Sequence, residues 1–502
     1  MNSSRPKIVM FNPLASPKMP YDGPPLSILA AVCMVDLEKF DVKVIDWHYK
    51  DFEKRLAAEC ADAMVFGVTC MTGYQIGTML AAARLAKQVN PSIVVVCGGS
   101  HPTLMPEQTL ENPLIDCVVV GQGPRTFKNL VERLAEGKSP EGVPGVGFKK
   151  DGRIVINEAA QREDINNFPR YPYHLLDNYE DYLVTTRFAK RAAYMLTSEG
   201  CPSNCSFCGE AALYKRRWIA LKVDRVMDEL AELKQRYNID GVVIADSNFF
   251  VDERRVAEFC RRLIPLGITW GGTSARSDQL RRYKDETLQL MKDSGLDGIF
   301  LGVESASDET LKVMNKGAVI SDTVVALQRA KKFGFDMQCS FVVGVPGIDV
   351  EKDFKNTMKF INDLRRQELA SQFHVFIYTP LPGTPFLPAA VQQGYTVPAK
   401  LEDWISYEFH AHSPPWVPKK YAGITDQLSV YFMFLSGNAR TVVRSVAPRR
   451  LMGLALLAER AVYHLSAFRV QHGFYSLPIE FKVAKFVLLH KSLFFGDKKL
   501  LF

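Results

Sequence analysis

The feature that most constrains this sequence is a short segment with three closely spaced cysteines, Cys201, Cys205 and Cys208. Their C-x3-C-x2-C spacing allows all three thiolates to turn toward one small inorganic centre. Gly200 and Pro202 disfavour a helix at this point, so the segment is predicted to be a loop. The sequence therefore predicts a metal-cluster site at this loop.

Two kinds of metal site use cysteine thiolates in this way. A closed zinc site needs four ligands, usually from two separated pairs, and no second C-x2-C or H-x3-H pair follows in the sequence. A [4Fe–4S] cluster held by three cysteines leaves one iron open for a substrate or cofactor. The spacing favours the cluster. A zinc site completed by a distant residue and a chance clustering of reduced thiols are the alternatives.

The same loop, with Phe207 before its last cysteine, resembles the signature of the radical S-adenosylmethionine (SAM) superfamily. The resemblance implies that Cys201, Cys205 and Cys208 hold a [4Fe–4S] cluster whose open iron binds SAM. It also implies that an external donor of the flavodoxin or ferredoxin type supplies the electron that cleaves SAM to a 5′-deoxyadenosyl radical. Phe207 is expected beside the bound SAM.

Length and charge set the outer limits of the interpretation. A chain of 502 residues exceeds what one hydrophobic core usually serves, so two or three domains are expected. The net charge of +7 is modest for this length, and no concentrated basic tract is present. The composition therefore predicts no nucleic-acid partner, although the charge is compatible with an anionic cofactor or a membrane surface.

The remaining cysteines lie mostly in apolar, strand-like segments, as buried free thiols do. Because no secretory signal peptide is recognisable, this pattern predicts a protein of the reducing cytoplasm. The sequence also has no run of 18 or more uncharged apolar residues, so no transmembrane helix is expected.

Residues 1–140 are predicted to form an α/β domain. Helical patterns such as residues 26–38 and 77–89 separate short apolar segments. Continuous β-branched strands that alternate with helices indicate a parallel, doubly wound, Rossmann-like sheet, which binds ligands at the carboxyl ends of its strands. The predicted strands are residues 7–11, 42–46, 63–68, 93–97 and 117–120.

Glycine-containing loops follow three of these strands, and glycine lets the backbone approach a bulky ligand closely. Segments 98–103 and 116–123 resemble the cobalamin-binding domain that precedes the radical SAM core in one branch of the superfamily. That branch more often has Gly-Glu-Gly-Glu where this chain has Gly121-Gln-Gly-Pro124. The cobalamin contacts that the resemblance implies are Met71, Thr72, Gly98, Gly99, His101, Pro102, Gly121 and Gly123.

Two histidines bear on the lower ligand of cobalt. Many cobalamin proteins supply this ligand from an Asp-x-His-x-x-Gly loop, which Asp46-Trp-His48 matches only in part, because position 51 is Asp and the segment follows the second strand. His48 is therefore expected to be a surface or packing residue. The resemblance then implies cobalamin without a protein histidine on cobalt, and His101 as a contact rather than a ligand.

Residues 141–188 are predicted to be a connector, and residues 189–390 a partial (β/α)6 barrel of the TIM type. Functional residues of such a barrel belong at the carboxyl ends of its strands, and the cysteine loop begins where the first of them ends. The predicted barrel strands are residues 193–198, 241–246, 268–274, 298–303, 336–343 and 374–378.

Polar residues follow the next barrel strands. By the resemblance, Asp246 and Asn248 are expected to meet the amino group of SAM, and Arg276 to pair with its carboxylate. Glu304 and Ser305 are expected to meet the amino group or the ribose hydroxyls. For each charged residue, a salt bridge at the barrel rim is the alternative.

Three longer segments, residues 302–317, 341–347 and 378–385, are very typical of the same branch. Gly344 lies in the second of them and is expected on the adenine side of the SAM site. The resemblance thus covers about residues 5–390.

Residues 391–502 are predicted to be mainly helical. Trp404, His410, His412 and Trp416 lie in an aromatic stretch that either lines a substrate pocket or packs in the interior. Residues 444–457 join basic residues to an apolar stretch. Peripheral contact with a membrane, cover for a hydrophobic substrate and a plain helical cap are the alternatives for this segment.

The resemblance supports three hypotheses about function. The leading one is a cobalamin-dependent radical SAM methyltransferase that methylates an unactivated carbon of a hydrophobic small molecule. The second is an anaerobic magnesium-protoporphyrin monomethyl ester cyclase, in which the substrate radical is oxidised and captured by water. The third is a non-catalytic sensor of cobalamin or SAM, against which the intact cysteine triplet argues.

Overall fold

The residues that the computed structural model describes are 5–17, 23–407, 413–447, 450 and 452–489.

The first domain is built on one sheet with helices on both faces, as the alternating pattern of the sequence predicts. Its strands are β1 (Lys7–Asn12), β2 (Asp41–Asp46), β3 (Val65–Thr69), β4 (Val94–Gly98), β5 (Cys117–Val119), β6 (Val146–Lys150) and β7 (Arg153–Ile156). Its helices are α1 (Leu26–Val32), α2 (Phe52–Cys60), α3 (Tyr74–Val89), α4 (Ser100–Leu104), α5 (Pro106–Glu111) and α6 (Gly123–Ala135).

The strand order is β2-β1-β3-β4-β5-β6-β7, and the first five strands are parallel. The order reverses between β1 and β3, which opens a crevice at the carboxyl ends of the strands. Strand β3 is buried along its whole length, as expected for a strand covered on both faces. The predicted doubly wound sheet is confirmed.

The sheet is larger than the sequence predicts. Strands β6 and β7 form an antiparallel hairpin that extends the sheet beyond β5, because Val146 and Phe148 are buried in the core of the first domain. This hairpin lies within residues 141–188, which were expected to be a connector. The first domain therefore continues to residue 156.

The second domain is the predicted partial barrel, whose wall strands are parallel and separated by helices. Two further short strands next to the cysteine loop form an antiparallel pair. Its strands are β8 (Ala192–Met195), β9 (Ser198–Gly200), β10 (Trp218–Ala220), β11 (Gly241–Ile244), β12 (Thr269–Gly271), β13 (Thr273–Arg276), β14 (Gly298–Glu304), β15 (Asp336–Val343) and β16 (Gln372–Ile377). Its helices are α7 (Gly209–Tyr214), α8 (Val223–Tyr237), α9 (Glu253–Leu263), α10 (Ser277–Leu280), α11 (Asp285–Asp293), α12 (Asp308–Val313), α13 (Ile320–Phe333), α14 (Val350–Arg366) and α15 (Leu387–Gln392).

The third barrel strand, expected as one element over residues 268–274, is divided into β12 and β13 by Gly272. Gly272 has a φ of +74°, and a Cβ atom at this position would lie 2.6 Å from Cγ1 of Val243. Strands β8, β11 and β12 form one sheet and β13 to β16 another. The bend at Gly272 thus lets the barrel wall continue from the first of these sheets into the second.

The chain returns to the first domain after the barrel. Trp404 is fully buried, and its Nε1 donates a hydrogen bond to Oε1 of Gln108 at 2.7 Å. A Cβ atom at Gly73 would lie 2.4 Å from the carbonyl oxygen of Tyr407, so the two segments are in close contact. Trp404 therefore packs in the interior, and the C-terminal region is not a separate helical unit from residue 391 onward.

Trp416 packs on the barrel, where its Nε1 donates to the carbonyl oxygen of Gly344 at 2.9 Å and its ring stacks on Tyr378. His410 and His412 lie outside the described residues. The predicted helical character of the C-terminal region is confirmed. Its helices are α16 (Lys419–Leu435), α17 (Asn438–Val446), α18 (Met452–His472) and α19 (Ile479–Leu489).

None of the helices within the described ranges combines the length and the hydropathy needed to cross a bilayer.

Asp353 of α14 is buried beneath the carboxyl end of β14. Its Oδ1 accepts hydrogen bonds from the hydroxyls of Ser305, at 3.3 Å, and Thr310, at 3.4 Å. Its Oδ2 has no hydrogen-bond partner in the part of the chain that is described. Burial raises the pKa of Asp353 to about 6, so ionisation of this carboxyl opposes folding at neutral pH.

We expect Asp353→Asn to stabilise the fold at pH 8 by about 1–3 kcal/mol, because the ionised carboxylate is penalised in the native state above its folded pKa. The penalty is lost as the pH falls through about 6 toward the unfolded value of 3.8. Urea unfolding at pH 8 and pH 4 measures the difference. An equal effect at both pH values would contradict it, and the exposed Glu351→Gln on the same helix should not stabilise at pH 8.

Candidate active site

The cysteine loop leaves β9 at Gly200 and is fixed by backbone hydrogen bonds. Gly200 has a φ of +78°, and a Cβ atom there would lie 2.2 Å from the carbonyl oxygen of Arg217. Farther along the loop, the N–H of Ser206 donates to the carbonyl of Met314 at 2.9 Å, and its own carbonyl accepts from the N–H of Phe386 at 3.1 Å. The loop is therefore held from both sides at the carboxyl end of the barrel.

The three cysteines line one cavity of about 180 Å³. Cys205 is buried, and Cys201 and Cys208 are half-buried. Burial, together with the nearby sulfurs of Cys205 and Cys201, raises the pKa of Cys208 to about 12. The loop thus gathers three thiols at one site that is shielded from solvent.

The arrangement of the thiols distinguishes between a zinc site and a [4Fe–4S] cluster. Within the described ranges, no three His, Cys, Asp or Glu side chains are placed to hold one metal ion. A zinc site requires such convergence on a single ion, whereas a [4Fe–4S] cluster presents a separate iron to each thiolate. The thiols therefore fit an open, three-cysteine cluster better than a closed zinc site.

Polar side chains on the neighbouring strand ends face the thiols. Nδ2 of Asn248 donates to Sγ of Cys201 at 3.4 Å, and Nη1 of Arg276 donates to Sγ of Cys205 at 3.2 Å. Donors to sulfur stabilise a thiolate and tune the cluster it holds. Oδ1 of Asn248 is buried without a partner in the described chain, so it is available to accept a hydrogen bond from a ligand amino group. These residues fit a cluster with SAM beside it.

Glu304 meets Lys316 in the same cavity. Oε1 of Glu304 accepts a hydrogen bond from Nζ of Lys316 at 2.9 Å, and both side chains are buried. Glu304 follows an irregularity in the pairing of β14 with β15 and has a φ of +70°, a left-handed conformation that is costly for a residue with a side chain. A Cβ atom at Gly302 would lie only 2.4 Å from this Oε1. Gly302 therefore leaves the space that Glu304 occupies.

Two charged residues of this cavity were not among the predicted contacts. Lys316 lies in segment 302–317, which resembles the family but contains no direct signal for a buried lysine. Glu210 follows the last cysteine, and burial raises the pKa of its carboxyl. Its Oε2 has no partner in the part of the chain described. Only the tertiary structure brings both side chains to the thiols.

Phe207, Asn248, Arg276 and Glu304 line the cavity, as expected for SAM contacts, but Asp246 does not. Asp246 is buried behind the cysteine loop, where it accepts hydrogen bonds from the N–H and hydroxyl of Thr197, both at 2.6 Å, and from the hydroxyl of Ser198 at 2.7 Å. These contacts occupy both carboxylate oxygens. Asp246 thus supports the strand that leads into the loop.

Ser305 and Gly344 also lie outside the cavity wall. The hydroxyl of Ser305 is fully buried between Asp353 and the backbone N–H of Ser307. Gly344 has a φ of +80° and is covered by the C-terminal segment through Trp416. Both residues shape the strand ends in this structure, and a direct contact of either with SAM stays a prediction.

A second cavity of about 180 Å³ lies at the carboxyl ends of the first sheet, and Gly98, Gly99, Gly121 and Gly123 line it. A Cβ atom at Gly121 would meet no atom within 4 Å, so any side chain there would enter open space. Gly99 has a φ of +102°, and its Cβ atom would lie 2.7 Å from the carbonyl of Cys70. The glycines thus form a cradle that suits a bulky ligand such as cobalamin.

Met71, Thr72, His101 and Pro102, also predicted as cobalamin contacts, do not line this cavity. His101 is fully buried, with Nδ1 2.9 Å from Oγ1 of Thr72 and its ring edge-on to Trp404. Burial lowers its pKa to about 4, so the ring is neutral at pH 7. The C-terminal segment thus covers His101, and a contact of this residue with cobalamin stays a prediction.

His48, the other histidine considered, packs against Tyr49 and Tyr182 and lies 3.2 Å from Oδ1 of Asp46. This position agrees with the expected packing role.

The two cavities adjoin through the first residues of the cysteine loop and through α7. Glu199 lines the glycine cradle, while Cys201, two residues later, lines the cluster cavity. Glu199 accepts hydrogen bonds from Nη1 of Arg162 at 3.2 Å and Nε2 of Gln122 at 3.3 Å. The guanidinium of Arg162 stacks over Tyr214, which ends α7. A half-buried polar network therefore joins the two domains between the sites.

Two family models match the chain. The model of the radical SAM superfamily matches residues 195–361, and the model of the B12 binding domain matches residues 16–131. The matched ranges contain the cysteine loop and the glycine cradle, respectively.

Curated relatives carry the names of methyltransferases and cyclases. An uncharacterized methyltransferase of Pyrococcus horikoshii is 32% identical over 372 residues, which are 72% of this chain and 77% of the relative. The anaerobic magnesium-protoporphyrin IX monomethyl ester cyclase of Rubrivivax gelatinosus is 30% identical over 307 residues, which are 60% of this chain and 53% of the relative. The chain thus spans about half the length of this cyclase.

Two solved structures share the fold. The cobalamin-dependent SAM radical enzyme OxsB, with aqua-cobalamin and SAM bound, superposes with a TM-score of 0.72 at 17% identity, covering 98% of this chain and 77% of OxsB. The radical SAM methyltransferase TsrM of Kitasatospora setae, with cobalamin and a [4Fe–4S] cluster bound, gives a TM-score of 0.63 at 19% identity and covers 78% of each chain.

The cavity around Glu304 generates a testable prediction. Gly302→Ala would force Oε1 of Glu304 away from its present position and break its contact with Lys316. We expect the affinity for SAM to fall by about tenfold, a loss of about 1.4 kcal/mol, while the iron content and absorbance of the cluster stay unchanged. Equilibrium binding of SAM to the reconstituted protein measures the change.

Gly423→Ala is the matched control, because a Cβ atom at Gly423 meets no atom within 4 Å. Unaltered SAM affinity in Gly302→Ala would show that the Glu304–Lys316 pair does not shape the ligand site.

Proposed function

The chain belongs to the branch of the radical SAM superfamily that carries a B12-binding domain, and we propose that it methylates an unactivated carbon of a hydrophobic small molecule. The family, the fold class, the enzymatic character and the three cofactors expected from the sequence are confirmed by this membership. The observation that carries the proposal is the adjacency of the cluster cavity and the glycine cradle across Glu199 and α7.

In this proposal, a bound cluster and one SAM would supply a 5′-deoxyadenosyl radical, and bound cobalamin, methylated by a second SAM, would supply the methyl group. Cys201, Cys205 and Cys208 hold the cluster. Asn248 and Arg276 donate hydrogen bonds to two of its sulfur ligands, at 3.4 and 3.2 Å. These donors fix the orientation of the thiolates before SAM binds.

Other side chains of the cavity position SAM. Oδ1 of Asn248 and the carboxylate of Glu304 are the proposed acceptors for its amino group or ribose hydroxyls, and Arg276 the proposed partner of its carboxylate. The buried carboxyl of Glu210 faces the same cavity. Phe207 contributes an apolar contact and helps to exclude water from the site. Preorganised polar groups in a dry cavity orient the reacting carbon of SAM at little entropic cost.

The glycine cradle is the proposed binding site for cobalamin. Gly98, Gly99, Gly121 and Gly123 give the backbone close access to cobalamin, and no histidine is among the described residues that line the cradle. Arg162 and Glu199 bridge the domains at its edge. Their ion pair holds the cradle against the cluster loop, so that a substrate between the two sites meets both cofactors.

Two further components complete the proposal. Reductive cleavage of SAM requires one electron, so we propose an external donor of the flavodoxin or ferredoxin type. We also propose that the enzyme works in the cytoplasm and makes peripheral contact with a membrane through its C-terminal helices, as suits a hydrophobic substrate.

The decisive experiment follows the methyl group. Anaerobic, cluster- and cobalamin-reconstituted protein is incubated with methyl-deuterated SAM, a reductant and a metabolite extract of its host, and the products are read by mass spectrometry. We expect a product that carries the labelled methyl group, together with 5′-deoxyadenosine and S-adenosylhomocysteine. The Cys205→Ala variant lacks a cluster ligand. Its yields of the labelled product and of 5′-deoxyadenosine should be lower by at least about a hundredfold.

Other outcomes have defined meanings. Deoxyadenosine with an unlabelled product that has gained oxygen or a ring would reject the methyltransferase and support the cyclase type of reaction. Absence of SAM cleavage by the fully reconstituted and reduced protein would instead support a sensor.

A further inference from the structure

Helix α18 presents several large apolar side chains outward. Leu454, Leu457, Leu465 and Phe468 are exposed, with 68% of Leu454 and 65% of Leu457 accessible to solvent. Ala461 between them is exposed as well. Steps of three and four residues place these positions along one side of a helix. We call this side, Leu454 to Phe468, the outer stripe.

The opposite side of α18 is buried and mainly polar. Glu459, Ser466 and Arg469 are almost fully buried there, together with the apolar Val470. The guanidinium of Arg469 donates to the carbonyls of Phe474, at 2.9 Å, and Ser476, at 2.8 Å. It also forms an ion pair with Glu480 of α19. Three of the four buried side chains of α18 are therefore polar, whereas a surface helix usually buries its apolar side chains.

The neighbouring helix continues this pattern. On α19, Ile479 and Val483 are exposed one turn apart, and Leu477 before the helix is exposed too. Single exposed apolar residues are common on protein surfaces, but a continuous series on two adjoining helices marks an interaction site.

The charge of the chain is concentrated in the same region. Residues 436–502 contain 11 Lys and Arg against 3 Asp and Glu, a net charge of +8, whereas the whole chain has +7. The other 435 residues therefore carry a net charge of −1. In the described part of this region both carboxylates, Glu459 and Glu480, are turned inward. The exposed charged side chains there are cations, namely Arg440, Arg444, Arg450, Arg460 and Lys482.

We propose that the outer stripe and the cations beside it dock on an anionic lipid surface. Apolar side chains of such a helix enter the boundary between headgroups and acyl chains, while Lys and Arg remain at the phosphates. A second copy of this chain fits less well, because self-association through this face would bring two strongly basic surfaces together. The inference rests on the proposed function in one respect: docking gives a membrane-borne hydrophobic substrate access to the enzyme.

Flotation of the full-length holoenzyme with vesicles tests the docking. The vesicles consist of phosphatidylcholine alone or with about one third phosphatidylglycerol. We expect flotation only with the anionic vesicles, and its loss when the salt concentration is raised to about 1 M, where charges are screened. Replacement of Arg444 or Arg460 by Gln should weaken binding by about fivefold for each cation.

The double variant Leu457→Glu/Phe468→Glu should weaken binding by more than about tenfold, because each carboxylate opposes burial in the interface. Val325→Glu, on the exposed side of the barrel helix α13, is the matched control and should float like the wild type. Formation of 5′-deoxyadenosine in solution should be equal in all these proteins. That assay reports on the proposed function independently of docking.

Absence of flotation with anionic vesicles, or undiminished flotation of the double variant, would overturn the proposal. A concentration-dependent dimer that the double variant abolishes, without flotation of the wild type, would assign the outer stripe to a second copy. Loss of deoxyadenosine formation with intact flotation would count against the proposed chemistry and leave the docking surface in place.

Discussion

Parallel strand pairing is the constraint on which both sites depend. Parallel strands end on the same side of a sheet, so the chain must place its strand-to-helix loops together. In the first domain this collects Gly98, Gly99, Gly121 and Gly123 into one cradle. In the barrel it brings the cysteine loop to the ends of the neighbouring strands, where Arg276 and Glu304 lie. Parallel pairing thus makes neighbours of residues that are far apart in sequence.

Helix α7 connects the two sites. It begins directly after Cys208, and its residues Glu210 and Tyr214 face different cavities. Arg162, from the segment between the domains, stacks over Tyr214 and pairs with Glu199. Moving one domain away from the other would break the hydrogen bonds of this half-buried network. The relative placement of the two cavities is therefore a property of the fold itself.

The C-terminal region serves the two domains in different ways. Its first part, with Trp404 and Trp416, covers the first domain and the barrel by ordinary apolar packing. Its later helices use polar contacts around Arg469 to hold themselves together. Several apolar side chains of α18 and α19 are left at the surface. This division explains why one region combines deeply buried tryptophans with exposed leucines.

The sequence by itself determined the family and the fold class, and it located most of the parallel strands, because these depend on local patterns and short spacings. It also predicted the three cysteines that line one cavity. It also located four glycines of the cradle and four residues of the cluster cavity, since strand ends are recognisable. Only the tertiary structure decided that Asp246 supports the loop, that His101 is buried under Trp404, and that Lys316 and Glu210 join the cavity. Burial and partner choice depend on contacts between distant segments, which no local pattern encodes.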